Sequence, residues 1–115
     1  MIFKIIEECS NCDFEYVPPT VRLTGVTMGN RQIVISKMKK DDKLILVRDY
    51  NNEFDKNAIA VLKEDGTSVG WIPRDIARII APEIDCGVKW QCNIDEILGN
   101  EETLRGVSIN LFYFS

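Results

Sequence analysis

The sequence predicts a mainly β domain, a small OB-like or SH3-like β-barrel of about six strands with two short helices. Short runs rich in β-branched and aromatic residues recur along the chain, among them "TVRLTGV", "KLILVRDY", "NAIAVLKEDG" and "SVGWI". Polar turn stretches such as "EDGT" and "GNEET" separate such runs. The length of 115 residues supports one hydrophobic core and not two.

Taken in order, "IFKII" reads as a short strand followed by an acidic, Cys-bearing arm, together residues 1–19. The Pro pair in "YVPPT" stops both a helix and a central strand, so it separates this arm from a barrel over residues 20–115. "TVRLTGV" is the first barrel strand, with Gly25 near its end. "GNRQIVISKMKKDD" carries β-branched residues yet has Asn30 at an N-cap position and Lys37, Lys39 and Lys40 where a helix would end. We read it as a helix lined by Ile33, Val34 and Met38. "KLILVRDY" and "NAIAVLKEDG" are strands, and "SVGWI" pairs back across "EDGT". "IPRDIARIIAPEID" is the best helix of the chain. Pro73 suits its first turn, Asp75 its positive end, and Ile76, Ile79 and Ile80 form an apolar stripe. "VKWQCNIDEIL" and "LRGVSINLFYF" close the domain as a hairpin over "GNEET".

Composition narrows the function. Hydrophobic residues make up 45% and charged residues 28%, ordinary for a globular domain. No apolar run approaches the roughly 20 residues of a membrane span, and the N-terminus has the wrong order of charge and apolar residues for a signal peptide. A cytoplasmic protein with no membrane partner is the expectation. The chain has no His, which removes Ser-His and Cys-His nucleophile pairs and the usual neutral-pH acid or base. Cys9 and Cys12 form a CxxC, but Cys86 and Cys92 are spaced too widely for a second zinc knuckle. Reduced thiols and no metal site are expected, with Cys92 buried as a small residue.

The net charge of −4 argues against a nucleic-acid partner taken alone. From Thr20 to Ile80, however, 11 Lys/Arg face 8 Asp/Glu, a net of +3, whereas the flanks hold 3 basic and 10 acidic residues. The basic residues therefore gather in the middle of the chain. There lies "RDYNNEFDKNAIAV", where a polar connection between two strands contains no Gly but has Phe54 at its centre. Asn52, Asp55 and Asn57 can satisfy the loop's backbone donors or point outwards. Phe54 either caps the barrel's end or stacks on a ligand, and Trp71 is either a core plug or a second stacking surface.

The order of motifs from "GVTMGN" to "APEID" resembles the HIRAN domain family. Its main carriers are the N-x-[FY]-D-x-N-A-I-x-V run from Asn52 to Val61, the V-G-aromatic step at Val69 to Trp71, and the Pro-led helix. Family members are OB-like barrels that stand alone in bacteria or at the N-terminus of Snf2-type helicases. The resemblance implies a non-catalytic DNA-binding module without cofactor. Its expected ligand is single-stranded DNA or a DNA 3′ end in repair or replication processing, with a helicase or nuclease as partner. On this pattern Phe54 stacks on the terminal base, Asp55 faces the terminal hydroxyl and Asn52 bonds the base or sugar. Trp71 lines the pocket, and Lys56 and Arg74 meet phosphates. Outside the pattern, Arg22 can stack on a base or reach a phosphate, and Arg48 is a further candidate phosphate contact. Where a DNA-binding relative has aromatic residues before T-G-V, this chain has Arg22 and Leu23, so the expectation is single-strand or DNA-end binding in general and not a snug 3′-end pocket.

Two other classes compete. A protein-interaction adaptor, a barrel whose groove holds a peptide, suits the negative net charge. A phosphohydrolase built on Asp49, Asp55 and Asp75 around a divalent metal ranks last, and the chain has no "GxxxxGK[ST]" for ATP.

Overall fold

Alternation of apolar and polar residues makes each strand-like run one-faced, and the computed structural model, which describes residues 17–114, assembles them accordingly. The elements are β1 (Thr20–Arg22), α1 (Arg31–Ser36), β2 (Lys43–Arg48), β3 (Ile59–Lys63), β4 (Ser68–Trp71), α2 (Arg74–Asp85), β5 (Lys89–Asn100) and β6 (Leu104–Phe114). The strands form one antiparallel sheet in the order β1-β6-β5-β2-β3-β4. The strand expected at "IFKII", and Cys9 and Cys12, lie outside the described residues.

The sheet curls into a half-barrel. Bulges between Val61 and Leu62 and between Ile94 and Glu96 bend β3 and β5. Closure differs from the full barrel that the sequence suggests. Its two edge strands, β1 and β4, are too short to form a ladder with each other. They meet through one bridge just past β1, where Thr24 and Trp71 exchange both backbone hydrogen bonds at 2.9 Å. Gly70 makes this approach possible, since a Cβ there would lie 2.7 Å from the Thr24 carbonyl oxygen. Gly25, at φ +69°, then turns the chain away.

Ile59, Val61, Val69, Ile94, Val107 and Ile109 are wholly buried on the inner face. Helix α2 begins directly after Pro73, as its sequence predicts. Ile76 and Ile80 face the core, but the stripe continues through buried Ala77 and Ala81, leaving Ile79 half-buried. The small alanines let the helix sit close to the sheet. Helix α1 presents a different face from the expected one. Ile35 is the buried residue, Val34 and Met38 are half-buried, and Ile33 is 62% exposed. Gln32 fixes this rotation, because its amide donates to the carbonyls of Val26 and Arg105 and accepts from the Arg105 N–H. Asn30 stands at the N-cap without a side-chain cap bond.

Among the described residues, no helix is long and apolar enough to cross a membrane, which says nothing of β-barrel membrane proteins.

Candidate nucleic-acid interface

Strand β2 ends at Arg48 and β3 begins at Ile59, leaving the loop 49–58 between them. Side-chain oxygens do the work that glycines do in shorter turns. The Asp49 carboxylate accepts from the Asn51 N–H at 3.2 Å and the Asn52 amide at 3.3 Å. Asn52 Oδ1 accepts from the N–H groups of Phe54 and Asp55 at 2.9 and 3.0 Å. Asp55 Oδ1 then accepts from the Asn57 N–H at 2.9 Å, and the chain enters the core at Ala58 and Ile59. These consecutive Asx-type turns explain why the loop needs no glycine. They also force Phe54 outwards, where it is 84% exposed. The ring caps nothing.

Two arginines brace the loop from outside. Arg74, in the first turn of α2, donates to the Phe54 carbonyl at 2.6 Å and pairs with Asp55 Oδ2 at 3.6 Å. Its side chain remains 71% exposed, so a guanidinium face is still open to an anion. Arg48 is placed differently from the sequence expectation of a phosphate contact. Its side chain is only 7% exposed and is committed to the fold. It donates to the carbonyls of Ala58 and Lys56 and forms a two-pronged pair with Asp85 at 3.0 and 3.2 Å. The Tyr50 hydroxyl donates to the same carboxylate at 2.6 Å, and the Arg48 guanidinium lies 4.5 Å from the Tyr50 ring centre. Hydrogen bonds from Arg48 and Tyr50 hold the Asp85 carboxyl below its ordinary range. The bond to Asp85 also pushes the Tyr50 hydroxyl upwards, and the same carboxylate raises Arg48.

Trp71 is half-buried at the end of β4 and shares the outer face of the sheet with its cross-strand neighbour Ala60. Its ring packs beside Gly25, whose carbonyl accepts from Arg31 at 2.8 Å. Arg22 alternates with buried Val21 and Leu23, so it points outwards. Its guanidinium lies flat on β6 in space that only Gly106 leaves open, where a Cβ would come within 2.6 Å. Lys56 is exposed in the loop.

Asn52, Phe54, Asp55 and Arg74 thus form one bonded unit. Trp71 precedes Arg74 by three residues, and Arg22 lies two residues before the Thr24 bridge on the same outward face. Sequence reading missed the Arg48–Tyr50–Asp85 latch, because Asp85 is 37 residues from Arg48 and only the fold joins them. Tyr50 could have been noticed as a second aromatic residue in the same polar stretch. Among the described residues, no three His, Cys, Asp or Glu side chains converge as a metal-holding group.

The model of the HIRAN domain matches residues 20–100. The chain belongs to the HIRAN domain family. Its fold is similar to the crystal structure of the HIRAN domain of human HLTF, with a TM-score of 0.64 at 20% identity over 82% of this chain and 72% of that one. A crystal structure of a protein from Lactobacillus plantarum is similar at a TM-score of 0.65 and 20% identity, covering 82% and 92% of the two chains. The NMR structure of the HLTF HIRAN domain aligns at 26% identity with a TM-score of 0.51, covering 83% and 79%. No curated protein matches the sequence. Membership of the HIRAN family supports a DNA-binding module in general terms. It places the Asn52–Val61 motif, the Gly70–Trp71 step and the Pro-led helix within the matched region.

Proposed function

We propose that this domain is a non-catalytic module that holds single-stranded DNA or a DNA 3′ end during repair or replication processing, beside a helicase or nuclease. Phe54 carries the reading. A large aromatic ring is held in solvent by a loop whose Asp49, Asn52 and Asp55 side chains are engaged in shaping it. Such a ring offers a base a stacking surface with little ordering cost, and each base–aromatic stack contributes roughly 1–3 kcal/mol. Trp71 supplies the neighbouring outer face, and Arg22, Lys56 and the open side of Arg74 supply positive charge for phosphates. Asp55 lies beside Phe54 and faces the terminal hydroxyl, and Asn52 orients both through its backbone bonds.

Fluorescence anisotropy with labelled single strands tests this at low salt, comparing free and phosphate-blocked 3′ ends. Phe54→Ala weakens binding by roughly 1–3 kcal/mol. Asp55→Asn keeps an acceptor for the Asn57 N–H, so the loop persists while preference for a free 3′ hydroxyl shrinks. Binding of no oligonucleotide by the wild type, or equal binding by Phe54→Ala, would replace this reading with the peptide adaptor. The adaptor has one observation of its own, the edge-to-face pair of exposed Phe112 and Phe114 on β6, with ring centres 6.1 Å apart.

A further inference from the structure

Tyr50 is a second aromatic ring presented by the same loop, and its position has no explanation in packing. It is 67% exposed, yet it is not loose. The hydroxyl is tied to Asp85 Oδ1 at 2.6 Å and the Arg48 guanidinium covers the ring at 4.5 Å from its centre. Arg48 is itself fixed by the carbonyls of Ala58 and Lys56. The ring is therefore anchored at its tip and backed by a cation, while most of its surface faces water. A side chain needed only to close the loop would gain more by burying that surface. The Asp85 charge beside it is matched by Arg48, so the local field does not expel phosphate as an isolated carboxylate would.

We propose that Tyr50 is a second base-stacking platform, which takes a nucleotide of the same single strand whose other base lies on Phe54. This inference rests on the nucleic-acid reading of the Phe54 loop and specifies how many bases that loop holds. The two residues are four positions apart in sequence, so their backbones are at most about 14 Å apart. At 3.4 Å or more per nucleotide, a single strand covers that distance within about four nucleotides. The Arg48 cation behind the ring keeps it rigid, so stacking orders one group and not two. The latch thereby serves binding through Tyr50, and Arg48 and Asp85 are positioning residues.

The test is an abasic scan with the full 115-residue chain and a labelled eight-nucleotide oligothymidylate, one base removed at a time. Tyr50→Ala lowers affinity for the intact strand roughly 5- to 160-fold, the range of a single base–aromatic stack. One abasic position becomes insensitive to Tyr50→Ala and a different one to Phe54→Ala, giving two separate double-mutant couplings. Tyr50→Phe keeps the ring and stays within about threefold of wild type, and the ring protons of Tyr50 shift on titration in NMR spectra. If Tyr50→Phe loses as much as Tyr50→Ala, or no abasic position couples to Tyr50, the ring is only a latch and the inference is wrong. If Tyr50→Ala binds like wild type while Phe54→Ala does not, the second platform falls and the Phe54 site stands. If the wild type binds no oligonucleotide, both fall together.

Discussion

Gly70→Ala tests how the half-barrel is closed. Gly70 is buried beside the Thr24–Trp71 bridge, and an added methyl would sit 2.7 Å from the Thr24 carbonyl oxygen, 3.1 Å from Val26 Cγ1 and 3.5 Å from Leu23 Cβ. The nearest atom is backbone, so it cannot swing away as the tip of a side chain would. Overpacking of this kind costs about 1–3 kcal/mol. If Thr24 retreats, the two 2.9 Å bonds it exchanges with Trp71 are lost, each contributing about 0.5–1.5 kcal/mol net. The expected loss is therefore about 2–6 kcal/mol, a large part of the roughly 5–15 kcal/mol that stabilises a domain of this size. Urea denaturation measures it as a fall in midpoint. Gly66→Ala is the control, since its site has φ +92° and open space around it, and it should lose about 1–2 kcal/mol. A Gly70→Ala protein as stable as wild type, or more stable than the control, would show that the sheet is not closed at Thr24.

Ile80 is wholly buried on the core-facing side of α2, so Ile80→Ala should cost about 2–5 kcal/mol by the same denaturation assay. Cys92 is buried on β5 and its thiol is pushed up to about 12 by burial, while Cys86 at the end of α2 is exposed. Alkylation at neutral pH followed by peptide mapping should modify Cys86 and leave Cys92 untouched until the protein unfolds. The latch has a pH window with a definite sign. Asp85 is held below its ordinary 3.8, so its contribution is present above that value and is lost as pH falls through the lowered one. Tyr50 is held above its ordinary 10.0, so its contribution is present below that value and is lost as pH rises through the raised one. Amide resonances of residues 48–58 should lose protection at both extremes, and Asp85→Asn should remove the acid limb.

The strands, both helices and the fold class are legible in the sequence because period and punctuation are local. "EDGT" becomes a turn through Asp65 and Gly66, and Pro73 starts α2, as their chemistry dictates. What is not legible depends on contacts distant in the chain. The face of α1 is chosen by Gln32 reaching Arg105, which is 73 residues away, and no helical periodicity encodes that. The half-open seam follows from the brevity of β1 and β4, a matter of strand ends that patterns locate poorly. Of the proposed site residues, Phe54, Asp55 and Asn52 stand together because they are neighbours in sequence, and Arg74 joins them. Arg48 was legible as a cation near the loop but not as one consumed by Asp85 and two carbonyls.

The commitments of these charges bear on an apparent conflict, a domain of net charge −4 proposed to hold a polyanion. Of the acids in the loop or bonded to it, three have partners, and Glu53, next to Phe54, is exposed without one among the described residues. Asp49 is spent on Asn51 and Asn52, Asp55 on Asn57 and Arg74, and Asp85 on Arg48 and Tyr50. These three shape the loop and project little charge beyond it, so Glu53 is the one unpaired acid of the loop among the described residues, and Glu102, in the β5–β6 turn, belongs to another part of the fold. The same pairings reduce the free cations, since Arg48 is enclosed and Arg74 is shared. Binding at this loop must then draw on stacking more than on phosphate neutralisation. That distinguishes it from an ordinary basic groove. Each phosphate contact on a single strand steepens the dependence of log affinity on log salt by about 0.7, so a site using Arg22, Lys56 and Arg74 at most shows a shallow slope of about −2. Affinity lost by Phe54→Ala should be nearly independent of salt, because a stack releases no counterions. An electrostatic groove would behave in the opposite way.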